Sequence, residues 1–422
     1  MSLFSRVLRI ARPWMISQMT LALAVSALHA QALSPHGIPT SPQITAEEQA
    51  GIDEDIARHL GDVPRDPGPK ANLSASLSPA AVHAAARKVA DWELKRAEPY
   101  LTQNWTWSVL DTGFMAAARE FHDPRYSNAM LTMADKFHWE LGAEDVKDYG
   151  WPDSNDQALG QTYLELYFLD PKPEKIAPTR KGLDGLLGAT MPAAPNDQFP
   201  IWWWWCDSLF MAPGTWTRMA AATHDSRYLE YLDKRWSETS NALYDPQYHL
   251  YYRDKTFMGK KGPAGKPVFW SRGNGWVMGG LARALEYMPK DSPDYPKFAK
   301  QMREMAGEFA SIQDSNDGLW HSDLLDPADY PQPEISGSAL VTFGLAWGIN
   351  HGILDRATYT PVVARAWRGL VNEIYADGRL GNIQQTDGKP DYYLPASSYN
   401  FGVGGFLLAA EQVALLREHT AR

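Results

Sequence analysis

The run Gly113-Phe114-Met115-Ala116-Ala117-Ala118-Arg119-Glu120-Phe121-His122-Asp123-Pro124-Arg125-Tyr126 has a second copy, Met219-Ala220-Ala221-Ala222-Thr223-His224-Asp225-Ser226-Arg227-Tyr228. Each copy is an alanine-rich apolar stretch, then His-Asp-x-Arg-Tyr, then a second stretch of helical texture. The aspartate stands where an N-cap starts the second helix, because its carboxylate can accept the free N–H groups of a first turn. Looser copies follow. Residues 281–287 lead through Lys290-Asp291 to a helix at 295–309, and residues 341–350 lead through Leu354-Asp355 to 360–374. His122 and His224 read as turn residues, and no histidine stands at a metal-binding spacing.

The helix starts recur as well. Small or polar residues open an apolar helix near Trp107, Asp156, Asp207, Gly275, Gly337 and Gly402, at spacings of 49, 51, 68, 62 and 65 residues. Six openings with two helices each predict six helical hairpins closed in a ring, an all-α (α/α)6 barrel. An open solenoid fits less well, because no capping repeat is visible. Asp/Gly-led pieces at 244–253, 316–321 and 376–380 predict turns and short strands on one rim.

Composition bounds the rest. The 422 residues include 44% hydrophobic and 21% charged, ordinary for a globular chain. Seventeen tryptophans are unusual and supply either sugar-stacking faces or large core filler. The single cysteine, Cys206, excludes an intramolecular disulfide and a cysteine zinc site. The net charge of −10 argues against a nucleic-acid or anionic-membrane surface. No cofactor, metal or obligate protein partner is indicated.

Residues 1–32 read as a signal peptide. Arg6, Arg9 and Arg12 precede an apolar run, and Ala30-Gln31-Ala32 offers a cleavage site. The apolar run is short for a membrane span. An exported mature chain would carry −13, since the leader holds three arginines and no acid. Residues 33–76 are Pro/Ser-rich and read as a tether or strap, leaving 77–422 as the barrel.

In such a ring the inner helices start at one mouth, and the openings carry its chemistry. Trp105, Trp107, Asn155, Asp156, Trp205, Asp207, Trp270, Arg272, Asn274, Trp276 and Glu334 are gathered there. Aromatics, carboxylates, amides and an arginine suit a sugar acid. Asp207, between Trp202-Trp203-Trp204-Trp205 and an apolar helix, is a candidate general acid with a burial-raised pKa, or else a helix cap. Asp156 has the same two readings. In Ser271-Arg272-Gly273-Asn274-Gly275-Trp276, the glycines would let backbone approach a ligand. Arg272 would either fork onto a carboxylate or pair with Asp207 or Glu334.

The segments 269–277 (Phe-Trp-Ser-Arg-Gly-Asn-Gly-Trp-Val) and 205–211 (Trp-Cys-Asp-Ser-Leu-Phe-Met) carry a resemblance. So do Ser336-Gly337-Ser338-Ala339 and Ala346-Trp347-Gly348-Ile349-Asn350. Together they resemble glycoside hydrolase family 105, the unsaturated rhamnogalacturonyl hydrolases, relatives of the family 88 unsaturated glucuronyl hydrolases. The likeness runs from about Ser78 to Leu416. It implies an (α/α)6 barrel that removes a 4,5-unsaturated uronic acid from lyase-generated oligosaccharides by hydrating the double bond. The rule relating carboxylate spacing to anomeric stereochemistry then does not apply. It further implies that Asp207 is the acid/base, that Asp156 is the second aspartate, and that Arg272 and Trp276 contact the sugar. Trp205, Met211 and Trp270 would line the same subsite, with Asn274 and Trp107 nearby.

One position departs from the family. Where some relatives carry histidine on the rim strand, this chain has Arg253, with His249 four residues earlier. An extra cation there fits a substrate carboxylate or a sulfate on the next sugar. The expected acceptor is rhamnose from rhamnogalacturonan, with a sulfated polymer such as ulvan as the alternative. Two other classes remain open: a polysaccharide lyase on the same barrel, with Tyr399 or His249 as base, and a non-catalytic glycan-binding protein.

Overall fold

A computed structural model describes residues 54, 57–143, 152–189 and 201–416. The expected signal peptide lies outside the described residues. The chain divides into Met1–Arg58 and a compact unit, His59–Arg422. Residues 59–76, assigned from sequence to the extension, belong to that second unit. There Asp62 and Ser398 exchange backbone hydrogen bonds, and His59 Nδ1 meets the Thr106 hydroxyl at 3.1 Å.

Helices alternate between two layers. The outer layer is α1 (Pro79–Ala97), α3 (Pro124–Lys136), α6 (Pro173–Leu187), α9 (Arg227–Leu243), α11 (Tyr295–Ile312) and α13 (Arg356–Asn372). Between them run the inner helices: α2 (Trp105–Phe121), α4 with α5 (Ser154–Gln157, Gly160–Leu169), and α7 with α8 (Ser208–Met211, Pro213–Thr223). The inner layer continues with α10 (Ser271–Leu285), α12 (Ile335–Asn350) and α14 (Asn400–Leu415). Inner neighbours close a ring: α2 packs on α14 and α5, α8 on α5 and α10, and α12 on α10 and α14. This is the (α/α)6 barrel expected from the repeat. Every residue of α14 but its last is buried, as an inner helix enclosed on all sides requires.

The repeat is one local solution used twice. His122 (φ 49°) and His224 (φ 56°) end their inner helices in the left-handed conformation. Asp123 then caps α3, accepting from the Arg125 N–H at 3.1 Å, and Asp225 accepts from the Arg227 N–H at 3.1 Å. In each copy the tyrosine reaches an aspartate on the preceding outer helix: Tyr126 to Asp91 at 2.8 Å and Tyr228 to Asp184 at 2.5 Å.

The two barrel ends differ. At the C-terminal ends of the inner helices, the buried Glu165 carboxylate pairs with Arg119 (2.5 Å), Arg218 (2.9 Å) and Arg283. Glu286 and Glu411 complete the cluster, which ties α2, α5, α8, α10 and α14 into a floor. At the N-terminal ends the openings converge. Ser154 and Ser208 hydroxyls lie 2.8 Å apart, Trp105 stacks on Phe401 (5.8 Å), and Asn400 Nδ2 donates to Thr106 at 3.3 Å. Among the described residues the rim carries one two-stranded hairpin, β1 (Tyr244–Asp245) with β2 (Leu250–Tyr251), and isolated bridges such as Ile374 with Leu380.

Candidate active site

Asp207 stands just before α7. Its own backbone is helical and its side chain makes no capping bond. The capping reading therefore does not hold for it. The Trp205-Cys206 segment is tied to the rim by Cys206 N–H donating to the Arg253 carbonyl at 2.9 Å. Arg253 Nε lies 3.7 Å from Asp207 Oδ2. Burial pushes the Asp207 carboxyl above its ordinary range, and the Arg253 guanidinium pulls it back down. Asp207 keeps 15% and Arg253 24% of its side chain exposed. These two polar groups face the opening.

Asp156 lies one opening away, buried in the single turn α4. It is not the cap either. Asp153 is, with its carboxylate accepting the Ser154 N–H at 2.6 Å. Burial pushes Asp153 up to about 7, and the neighbouring Asp156 adds to that rise. The Ser154–Ser208 hydroxyl contact puts the Asp156 and Asp207 openings side by side.

Arg272 occupies neither of the places that sequence offered it. It is wholly buried, between Trp270 (4.5 Å) and Phe401 (4.8 Å). Nη1 donates to the Gln384 carbonyl at 2.8 Å, and Nη2 to those of Gln385 (2.8 Å) and Asp387 (3.3 Å). Its fork is closed on backbone rather than presented to a ligand or paired with Asp207 or Glu334. Glu334 instead caps α12, accepting from Ser336 N–H at 3.1 Å and Gly337 N–H at 2.6 Å.

Asn274 is also turned inward. Its Oδ1 accepts from Tyr251 N–H at 2.7 Å, and its Nδ2 donates to the Tyr251 and Trp270 carbonyls, each at 3.0 Å. It ties β2 to α10. Gly273 and Gly275 lie within α10 rather than before it. A Cβ on Gly275 would meet Gly337 Cα at 2.9 Å, so that glycine serves contact between α10 and α12, not approach to a ligand.

The aromatics divide by depth. Trp107, Trp270, Trp276 and Met211 are core residues, and Trp205 is nearly so. Trp105, not singled out from sequence as a binding residue, is half-buried at the mouth, edge-on to Trp276 at 6.1 Å. Trp204 and Trp205 flank the Arg253 guanidinium at 5.6 and 5.3 Å, while Trp202 and Trp203 are buried in the core. Of the proposed lyase bases, His249 sits at the hairpin turn, its Nδ1 2.9 Å from the Tyr244 hydroxyl, which also meets Glu304 of α11. Tyr399 is buried against Phe401. Asp314, Asp317 and His321 gather donor atoms within 4.8 Å. These groups are engaged with one another and with backbone, His321 Nε2 lying 3.1 Å from Asp317 Oδ2.

Sequence reasoning placed Trp105 at the mouth without assigning it a role, and did not single out Asp153, Gln384 or the loop residue Gly388. Asp153 had a signal, an acid just before a helix start. Gln384 and Gly388 lie on a rim loop with no local signature.

Comparison with known proteins gives four findings. Residues 79–416 match the profile of Glycosyl Hydrolase Family 88. The curated "Unsaturated 3S-rhamnoglycuronyl hydrolase" of Formosa agariphila is 36% identical over 75% of this chain and 85% of its own. A solved glycosyl hydrolase of family 88 from Bacteroides vulgatus is 30% identical, covering 80% of this chain and 99% of its own, with a TM-score of 0.74. A further solved structure, described as a polysaccharide lyase, is 32% identical over 82% of this chain and 99% of its own, with a TM-score of 0.73.

Proposed function

The chain belongs to glycosyl hydrolase family 88, and from that premise we propose that it removes a 4,5-unsaturated uronic acid from the non-reducing end of lyase-generated oligosaccharides carrying rhamnose as the next sugar. The observation that carries this reading is Asp207: an uncapping carboxyl at the barrel mouth, raised by burial and 3.7 Å from the Arg253 guanidinium.

Asp207 delivers its proton to C4 of the double bond, and positive charge develops toward C5 and the ring oxygen. Water adds at C5 and loses a proton, which restores the aspartic acid. The resulting hemiketal opens and releases the acceptor, so the sum is one water added and one glycosidic link broken. Arg253 is placed to hold the sugar carboxylate beside Asp207, since a guanidinium fork matches a carboxylate. The test is incubation with lyase-digested polysaccharide. The conjugated ultraviolet chromophore must disappear, and Asp207→Asn must slow that loss about 10²–10⁴-fold.

Two observations favour a sulfated rhamnose acceptor. The Formosa relative is named for a 3S-rhamnoglycuronyl substrate. The rim segment beyond Arg253 carries Lys260, Lys261 and Lys266, all exposed and without an ion pair among the described residues. Unpaired cations in a chain of net charge −10 suit an anionic acceptor. Parallel kinetics on sulfated and desulfated unsaturated disaccharides decide it.

The likeness to a polysaccharide lyase supports a second reading. A lyase creates the chromophore that a hydrolase removes, so the sign of the absorbance change on intact and pre-digested polymer separates the two. We further propose export through residues 1–32. N-terminal sequencing of the functional protein that finds Met1 or Ser2 overturns this.

A further inference from the structure

The rim segment 384–391 is fastened from two sides. Arg272 holds the carbonyls of Gln384, Gln385 and Asp387 from below. Gln384 closes the loop on itself: its Nε2 donates to the Lys389 carbonyl at 2.8 Å, while its Oε1 accepts from Trp270 Nε1 and the Ser322 hydroxyl, each at 3.0 Å. Asp391 N–H donates to that same Ser322 hydroxyl at 3.1 Å.

The tip of this loop lies on Arg253. A Cβ built on Gly388 would stand 3.0 Å from both Cζ and Nε of Arg253 and 3.2 Å from Nη2. The guanidinium thus has backbone against one side and the Trp204 and Trp205 rings on another. Its Nη1 is anchored on Asp254 at 2.7 Å. With so little freedom left, the 3.7 Å separation from Asp207 is set by what packs on Arg253. Gly388 does not adopt a left-handed backbone, so a Cβ there is opposed not by conformation but by the guanidinium, which would have to give by a few tenths of an ångström.

We propose that Gly388 is a positioning residue: the loop fastened by Arg272 seats its backbone on the Arg253 guanidinium and thereby fixes that cation beside Asp207. Arg272 then serves the site from beneath, through the loop, rather than by meeting substrate. This inference rests on the reading of Asp207 as the proton donor.

Among the described residues, the charged or titratable groups acting most strongly on Asp207 are Arg253 from the rim, Arg272 from α10 and the Cys206 thiol, 3.5 Å away on its own segment. Asp254 acts on Arg253, and Glu334, Asp207 and then Asp387 on Arg272. Because Arg253 lowers the Asp207 pKa, moving it away raises that pKa. A proton donor must be protonated to act, so the alkaline limb of kcat/KM moves to higher pH.

The test is a double-mutant cycle on an unsaturated disaccharide, using Gly388→Ala, Arg253→Ala and the pair. Gly388→Ala is expected to lower kcat/KM about threefold or more and to shift the alkaline limb, upward where the guanidinium moves away from Asp207, while in the Arg253→Ala background it has almost no further effect. Additive losses, or a Gly388→Ala enzyme with the parental pH profile, overturn the inference. A crystal structure of Gly388→Ala that keeps the Arg253–Asp207 distance overturns it without recourse to turnover. Asp207→Asn separates the two failures: near-parental activity there removes the proton donor itself, whereas an inactive Asp207→Asn with an additive cycle removes only the role of Gly388.

Discussion

Ser154 Oγ and Ser208 Oγ share a hydrogen bond of 2.8 Å, so the openings that carry Asp156 and Asp207 are joined flank to flank. Neither acid is a helix cap, since Asp153 caps one opening and the Asp207 side chain makes no capping bond. Asp207→Asn keeps the shape and removes the proton. We expect kcat to fall about 10²–10⁴-fold with KM little changed, the scale of a lost general acid. Asp156→Asn tests the pair by the same steady-state kinetics. A loss of similar size makes Asp156 a partner in the chemistry, and a near-silent change leaves Asp207 to act alone.

Arg272→Lys replaces a fork that holds three loop carbonyls with a point charge that cannot span them. Both kcat/KM and the integrity of the rim loop should suffer. We expect at least about a tenfold loss of kcat/KM, since hydrogen bonds from charged groups contribute roughly 1.5–3 kcal/mol. Cleavage within 385–390 should also quicken in limited proteolysis. Parental kinetics with unchanged proteolysis would show that the loop stands without it.

Asn274→Ala is a test of stability rather than chemistry. It strands the Tyr251 N–H and carbonyl, both buried, at about 1–3 kcal/mol per unsatisfied group. The midpoint of denaturant unfolding should fall clearly, while the pH profile of the residual activity stays parental.

Asp111 gives a pH-dependent stability. It is wholly buried on α2, and neither carboxyl oxygen has a hydrogen-bond partner among the described residues. Burial therefore holds its pKa well above the ordinary value. For an acid raised in the folded state, stability is fully present below the unfolded pKa, about 4, and is lost as pH rises toward the folded one. Asp111→Asn abolishes that loss. Its Tm minus that of the parent should be smallest near pH 4 and grow in favour of the variant toward pH 8. A difference that stays constant with pH would refute this account.

What sequence disclosed was local or repetitive. Aspartate caps, turn histidines and six recurring openings announce helix ends, and helix ends in a repeat announce a ring. Asp207 was legible from its place between an aromatic run and an apolar helix. Arg272, Asn274 and Gly275 were misplaced for one shared reason. A buried arginine on carbonyls, an amide on a strand and a glycine against a helix look in sequence like ligand-binding groups. Their partners, at Gln384, Tyr251 and Gly337, lie far along the chain or follow from register alone. Trp107 and Trp105 differ by two residues, and only the helical turn decides which ring faces the mouth.

The floor built from Glu165, Arg119, Arg218 and Arg283 has a kinetic corollary. These ion pairs close on one another across the C-terminal ends of the inner helices, so the acids at the N-terminal openings are expected to be reached from their own mouth and by a chain terminus, which an intact polymer resisting internal cleavage would check. Approach from one end makes last-in, first-out departure the expected order, the acceptor sugar leaving before the opened uronate. Under that order the uronate-derived product inhibits competitively against substrate, and the acceptor inhibits in a mixed or noncompetitive pattern.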